Sequence, residues 1–89
     1  MRIFSQALDS VLVYKTAPAF GIRLIISGND FAIAMPIDET SIKGGEIIMA
    51  RYQSQVKAQH QLNRLLKFFA ADTHGDFFFE RDTGKEVSA

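Results

Sequence analysis

Short apolar runs separated by turn residues fill the first part of the chain. Residues 10–16 (SVLVYKT) are apolar and β-branched, and they are bounded by Asp9 and by Ala17–Pro18. This composition predicts a β-strand. Residues 1–4 either extend that strand or form a short strand of their own.

A β-hairpin over residues 20–37 is the clearest local signal. The residues GND (28–30) separate two apolar runs, and all three types tolerate the backbone conformations of tight turns. We predict two strands joined by a loop of about three residues. Alternate residues give each strand one strongly apolar face. The opposite face, with Arg23 and Ile25, is only lightly apolar.

A pattern with a period of 3.6 residues follows the hairpin. It predicts one long helix from about residue 46 to about residue 73, ending before Gly75. The apolar side carries Ile48, Tyr52, Leu62, Leu65, Leu66 and Phe69. The opposite side carries the basic residues Lys57, His60, Arg64 and Lys67. After the helix, DFFFERD (76–82) predicts a strand, and DTG (82–84) predicts a turn into a short final strand.

The predicted element order is β-β-β-α-β. The sequence leaves two alternatives for the C-terminal end, with or without a small additional hairpin. Hairpin connections favour an antiparallel sheet, and a single helix must cover one face of it. We therefore expect an α+β fold in two layers, with an antiparallel sheet of three to five strands packed on one long helix. Residues 1–89 would form a single domain.

Length and composition narrow the class of protein. The chain has 89 residues, and its hydrophobic fraction of 47% is typical of a globular domain. It has no cysteine, which excludes disulfides and thiolate-bound metal sites. There is no signal-peptide pattern and no apolar run of the ~20 residues that a membrane span needs. We expect a soluble cytoplasmic protein with no membrane contact.

The stretch DTHGD (72–76) contains three side chains of types that bind metal ions. Gly75 marks a change of direction, so Asp72, His74 and Asp76 need not share a face. The end of a helix followed by a turn explains the same residues, because a histidine complements the negative end of the helix dipole. We therefore predict no metal site and no cofactor.

Motifs with a catalytic mechanism are absent from the sequence. There is no nucleophile elbow, no phosphate-binding loop and no metalloprotease motif. The stretch KGGE (43–46) has two glycines but lacks the spacing of a phosphate-binding loop. We predict that the protein is not an enzyme and that it has no catalytic residues.

Basic residues dominate the predicted helix. Residues 47–71 include four Lys or Arg and no Asp or Glu, although the whole chain has ten basic and ten acidic residues. A surface that only faces solvent usually mixes both signs of charge. For Lys57, His60, Arg64 and Lys67, called here the basic stripe, three interpretations stay open: solvated surface, protein contact, or contact with nucleic-acid phosphates.

Surplus apolar residues indicate a second candidate surface. Ile25 and Phe78 lie on faces that the two-layer arrangement leaves uncovered, and Arg23 is near Ile25 in the same strand. If they share the outer face of the sheet, that face needs a partner or a second copy of the chain. The alternative is that residues 1–8 fold over it.

From the small size and the absence of motifs, we expect a non-enzymatic protein-binding module. Phage and mobile-element accessory proteins that inhibit or modulate a larger host protein, nuclease or defence complex are of this kind. The partner would contact the basic stripe, the surface around Arg23, Ile25 and Phe78, or the acidic loop Asp38–Glu39. One alternative is a nucleic-acid-binding regulator that uses the basic stripe. Another is a self-associating structural subunit that forms a homodimer.

Overall fold

The computed structural model describes residues 1–18, 21–37, 45–71 and 75–82. Within these ranges the chain forms six strands and one helix. In chain order they are β1 (Arg2–Phe4), β2 (Val11–Val13), β3 (Arg23–Ser27), β4 (Asp30–Pro36), β5 (Glu46–Tyr52), α1 (Gln55–Ala70) and β6 (Asp76–Phe78). The short final strand expected after residue 84 lies outside the described residues.

The strands form two sheets of three. Sheet A has the order β2-β1-β6, and sheet B has the order β3-β4-β5. The pairing of β1 with β6 is parallel, and the other three pairings are antiparallel. The α+β class with one helix is confirmed. The expected single antiparallel sheet and the order β-β-β-α-β are corrected, because five strands precede the helix and they divide between two sheets.

The hairpin of β3 and β4 confirms the clearest sequence signal. Ser27 pairs with Asp30, so the loop contains only Gly28 and Asn29. Gly28 has a φ of 63°, a left-handed conformation that glycine adopts without steric penalty. The expected loop is therefore one residue too long, because Asp30 already belongs to the strand.

The segment 46–52 is a strand, and the helix predicted to begin near residue 46 begins at Gln55. A bulge explains the error. In the β4–β5 ladder, Ile33 pairs with Ala50, and the next residue of β4, Ala34, pairs with Ile48. Met49 is therefore an extra residue in β5, which makes a β-bulge. The bulge interrupts the alternation of buried and exposed residues along β5. The spacing of the buried residues in this strand therefore resembles that of a helix.

Ser54 begins the helix. Its hydroxyl accepts a hydrogen bond from the backbone N–H of Lys57 at 3.1 Å, as expected for an N-cap. The helix ends at Ala70 with Ala71 as its C-cap, and the predicted continuation to residue 73 lies outside the described residues. Within the described ranges, no helix has both the length and the apolar character that crossing a membrane requires.

One hydrophobic core lies between the helix and the inner faces of both sheets. It contains Ile33 and Met35 from sheet B, and Ile3 and Phe77 from sheet A. The segment that follows β1 also binds to the edge of sheet B at β5. The backbone N–H of Gln6 donates to the carbonyl of Met49 at 2.7 Å, and the Gln6 side-chain oxygen accepts from the N–H of Arg51 at 2.9 Å.

Candidate functional site

The four residues of the basic stripe do not form one continuous exposed surface. Lys57 is only 8% exposed, and its ammonium lies 3.0 Å from Oδ1 of Asp82. The prediction that Lys57 lies on the helix side opposite the buried face is therefore wrong. The carboxylate that neutralises it comes from 25 positions further along the chain, beyond the reach of any local pattern.

Arg64 is also engaged within the molecule. Its Nη1 donates to Oε1 of Gln61 at 2.7 Å and to the carbonyl of Phe78 at 3.3 Å. Its guanidinium lies 5.1 Å from the centre of the Phe77 ring and 3.8 Å from the carboxylate of Glu80. Arg64 therefore connects the helix to β6 and the residues after it.

His60 and Lys67 remain exposed on the helix. The buried face of α1 is formed by Lys57, Ala58, Gln61 and Leu65, whereas Leu66 is 47% exposed. This face is rotated from the predicted one because two residues used to define the apolar side, Ile48 and Tyr52, belong to β5. Of the four residues in the basic stripe, His60 and Lys67 are thus exposed and accessible to a ligand.

Arg23 and Ile25 lie on the outer face of sheet B, where two arginines span the central strand. Arg23 donates two hydrogen bonds to the carboxylate of Glu46. Arg51 donates from Nη1 to the hydroxyl of Ser27 at 2.7 Å. Each of these two interactions joins β3 to β5 across β4. The β4 residues on this face of the sheet are small. Ile25 is partly buried, so this face is largely covered by its own side chains.

Phe78 lies elsewhere. It belongs to sheet A, where its ring stacks on Phe4 with 4.6 Å between the ring centres and 5° between the planes. The prediction that Ile25 and Phe78 share one sheet face is wrong. The alternative, that residues 1–8 cover the outer face, is also wrong, because Arg2–Phe4 forms the middle strand of sheet A.

Five apolar residues cover the outer side of sheet A, and we call this surface the apolar face. It consists of Phe4, Leu8, Val11, Val13 and Phe78. The exposed fractions are 65% for Val13, 60% for Leu8, 50% for Phe78 and 46% for Val11, and Phe4 is partly buried. At one end, Arg2 donates to both carboxylate oxygens of Asp76 at 2.8 and 2.9 Å.

The strand registers place these side chains together. Phe4 pairs with Val11 on one side and with Phe78 on the other, so all three share a face. The intervening residues Ile3 and Leu12, like Phe77 of β6, are buried in the core. Sequence reasoning identified only Phe78. In strands of three residues, alternation is too short to distinguish an uncovered side from a covered one.

Leu8 has an unusual backbone conformation at the edge of the apolar face. Its φ of 61° lies in the left-handed region, which glycine and asparagine tolerate and leucine rarely adopts. The loop is held by Ser5, whose hydroxyl accepts from the N–H groups of Asp9 and Ser10 at 3.2 and 3.1 Å. The side chain of Leu8 is nonetheless mostly in solvent.

Residues 79–82, called here the C-terminal arm, lie across α1. The backbone of Glu80 is bound on both sides: its carbonyl accepts from the Tyr52 hydroxyl at 2.5 Å, and its N–H donates to Oε1 of Gln61 at 3.2 Å. Burial and the nearby Glu80 carboxylate raise the pKa of Tyr52 well above its usual value of 10.0. Tyr52 is therefore a structural hydrogen-bond donor at neutral pH.

No group of three His, Cys, Asp or Glu side chains in the described ranges could hold a metal ion. Asp76 of the stretch 72–76 is bound to Arg2, and Asp72 and His74 lie outside the described residues. The acidic loop Asp38–Glu39 also lies outside them.

Comparisons of the chain with protein family models, with curated proteins and with solved structures found no match.

Proposed function

We propose that this protein is a small non-enzymatic binding module that contacts another protein through its apolar face. The supporting observation is the set of exposed large apolar side chains on one side of sheet A. A small monomer seldom leaves such residues in one contiguous patch. Each Å² of apolar surface removed from water contributes about 25 cal/mol, which favours a complex that covers the patch.

The layout of the apolar face resembles that of a protein interface. The Phe4–Phe78 stack is an aromatic centre, and Val11 and Val13 extend it across sheet A. The ion pair of Arg2 and Asp76 gives one side a polar border. Interfaces typically combine an apolar, aromatic-rich centre with a polar rim, and aromatic side chains often contribute most of the binding energy.

Leu8 gives separate support to the proposal. A left-handed backbone conformation costs a residue with a Cβ atom about 1–2 kcal/mol. The side chain of Leu8 is mostly exposed, so packing against the hydrophobic core of this protein does little to offset that cost. Glycine or asparagine would fit the turn better. A leucine at this position is understandable if its side chain is buried by a partner.

Within this proposal, the finer role is inhibition or modulation of a larger host protein, nuclease or defence complex. The protein would then be a phage or mobile-element accessory protein that works in the cytoplasm. Its small size and an apolar face without catalytic groups suit this role. A partner surface that is apolar at its centre would complement the Phe4–Phe78 stack.

The nucleic-acid alternative has less support. Lys57 is neutralised by Asp82, and Arg64 is held by Gln61, Phe78 and Glu80. A phosphate-binding surface depends on several cations that can release counterions together. His60 and Lys67 alone would give weak binding with a shallow dependence on salt concentration.

The test compares two substitutions of equally exposed apolar residues. Phe78→Lys places a charge in the apolar face, and Leu66→Lys places the same charge on the helix; the two side chains are 50% and 47% exposed. Wild type and both variants are immobilised and incubated with a lysate of the organism that makes the protein, one half treated with nuclease and the other half untreated. Bound proteins are quantified by mass spectrometry, and circular dichroism checks that both variants are folded.

We expect one protein to bind in a near-stoichiometric amount and to resist nuclease. Its recovery should fall by at least about tenfold with Phe78→Lys, as for a central interface residue. Leu66→Lys should leave recovery unchanged. Equal recovery on all three proteins, or binding that disappears with nuclease, would contradict the proposal.

A further inference from the structure

We propose that the cleft between α1 and β6 binds a carboxylate that lies beside an apolar side chain, as in an acidic and hydrophobic peptide segment. The cleft is lined by Arg64, Lys67 and Phe68 of the helix and by Asp76, Phe77 and Phe78 of β6. Phe78 belongs to both the cleft and the apolar face. The inference therefore deepens the proposed function and rests on it, because the partner that covers the apolar face would supply the segment.

Aromatic rings give the cleft its apolar character. Phe77 is buried, and its ring centre lies 5.5 Å from that of Phe68, which is partly buried. Phe78 is half exposed. The cleft has a volume of about 470 Å³ and is open to solvent. Sites of this size hold a small ligand or a few side chains, and apolar walls with a few polar groups favour a ligand that has an apolar body and a polar end.

Arg64 is fixed in position at the cleft, although part of its guanidinium is unbound. Both of its hydrogen bonds come from Nη1, which donates to Gln61 and to the carbonyl of Phe78. The guanidinium also lies 5.1 Å from the centre of the Phe77 ring. No described residue accepts a hydrogen bond from Nη2. A guanidinium that is already held in place loses little conformational entropy when it binds an anion.

Lys67 is a second cation at the cleft, three residues after Arg64. It is exposed, and none of the acidic side chains in the described part of the chain forms an ion pair with it. Residues three apart in a helix are neighbours on its surface. The two cations can therefore approach the same anionic group.

The acidic residues beside the cleft do not cancel this positive charge. Asp76 lines the cleft, but both of its carboxylate oxygens accept from Arg2. Glu80 lies 3.8 Å from Nε of Arg64 and is 62% exposed, so this ion pair is weak. The three cations Arg2, Arg64 and Lys67 against these two acids leave one net positive charge. A single carboxylate on the partner complements it.

One net charge beside aromatic rings favours a carboxylate over a phosphate. A phosphate group carries nearly two negative charges at neutral pH, and a nucleic-acid strand presents many phosphates, so both require a larger set of cations. A peptide segment with Asp or Glu next to an aromatic or aliphatic residue matches both features of the cleft. Such a segment would continue from the apolar face past Phe78 into the cleft.

The first experiment titrates the full chain with small probes at neutral pH and follows its backbone amides by NMR. N-acetylphenylalanine has a carboxylate beside a ring, N-acetylphenylalanine amide has the same ring without the charge, and inorganic phosphate has charge without a ring. We expect the acid to shift the amides of Phe68, Phe77 and Phe78 with a dissociation constant on the order of 1–10 mM. It should bind about three- to tenfold more tightly than the amide. Equal affinity for acid and amide, shifts confined to other regions, or phosphate binding as tight as that of the acid overturns the proposal.

The second experiment tests the cation. Lys67→Gln removes the charge from an exposed side chain, so the fold should be unaffected. It should weaken binding of N-acetylphenylalanine by at least about threefold and leave binding of the amide probe unchanged. The conservative variant Lys67→Arg should keep the preference for the acid. If Lys67→Gln binds the acid as tightly as the wild type, the proposal is overturned.

Failure of this proposal and failure of the proposed function give different results. Lys67→Gln leaves all five side chains of the apolar face in place, whereas Phe78→Lys tests that face. If the probes show no preference for the acid while Phe78→Lys still abolishes capture of the partner, the cleft proposal is overturned and the proposed function stands. If the acid binds as expected while Phe78→Lys leaves capture unchanged, the proposed function is overturned and the cleft binds its carboxylate ligand without the apolar face.

Discussion

The ammonium of Lys57 lies 3.0 Å from the carboxylate of Asp82, and the two side chains are only 9% and 15% exposed. The second oxygen of the same carboxylate accepts from the backbone N–H of Gln53 at 2.8 Å. One acidic side chain of the C-terminal arm thus binds both the turn before the helix and the first turn of the helix. This position also suits the positive end of the helix dipole.

The first prediction concerns this ion pair. Asp82→Ala should lower the free energy of unfolding by about 2–3 kcal/mol, because it leaves a largely buried ammonium without a partner. The control is Asp76→Ala, which breaks the more exposed pair with Arg2 and should cost less than about 1 kcal/mol. Urea unfolding measures both. Similar losses for the two variants would contradict a special role for the buried pair.

The second prediction concerns alkaline pH. The raised pKa of Tyr52 means that, above about pH 10, the unfolded chain loses the phenolic proton while the folded chain keeps it. The unfolded state then binds fewer protons, so this group lowers the free energy of unfolding by up to about 1.4 kcal/mol per pH unit. Its contribution is fully present below pH 10 and is lost as the pH rises.

Tyr52→Phe should remove that part of the pH dependence. At neutral pH the variant should lose about 0.5–1.5 kcal/mol with the hydrogen bond to Glu80. Between about pH 9 and about pH 11, its stability should fall less steeply than that of the wild type. Urea unfolding of both proteins across this range gives the comparison, and parallel curves would show that Tyr52 ionises freely in the folded state.

A third prediction concerns Gln61, which is buried but polar. Its Oε1 accepts from both Arg64 and the N–H of Glu80. Gln61→Leu should destabilise the protein by about 1–3 kcal/mol despite the added apolar character, because the Glu80 N–H loses its acceptor. Hydrogen exchange at the Glu80 amide should accelerate more than exchange in β4. Unchanged exchange at Glu80 would mean that water or another group replaces Gln61.

The fourth prediction separates stability from binding at Leu8. Leu8→Asn should raise the free energy of unfolding by about 1 kcal/mol, since asparagine tolerates the left-handed conformation. The thermal midpoint should rise by about 4–8 °C. The matched control, Leu66→Asn in the helix, should instead lower stability slightly, by about 0.5 kcal/mol. If Leu8→Asn is stabilised yet binds the partner less tightly, the leucine serves the interface rather than the fold.

Local signals predicted much of the fold. The turn at Gly28 and the alternating runs around it defined the β3–β4 hairpin, and the apolar run near Leu12 defined β2. The segment 46–52 was misassigned because the bulge at Met49 gives a strand the burial spacing of a helix. Dividing the strands into two sheets depends on the pairing of β1 with β6, which no local pattern encodes.

The candidate surface was predicted only in part. Phe78 was recognised as surplus because three consecutive phenylalanines cannot all face one core. The neighbouring residues Phe4, Val11 and Val13 were missed, since which side of sheet A faces solvent is decided by where the helix packs. The sequence predicts Lys57 on the exposed side of the helix, because its partner, Asp82, is distant in sequence.

Arg2 and Asp76 are neighbours in sheet A although 74 positions separate them in the chain. Sheet B and the helix can assemble from nearby segments, whereas β1 and β6 must first close a very long loop at a large entropic cost. Sheet A should therefore be completed late in folding. Because Phe4 and Phe78 come from opposite ends of that loop, their stacked rings form only when β1 and β6 have paired, so the centre of the apolar face is completed in the same step as sheet A.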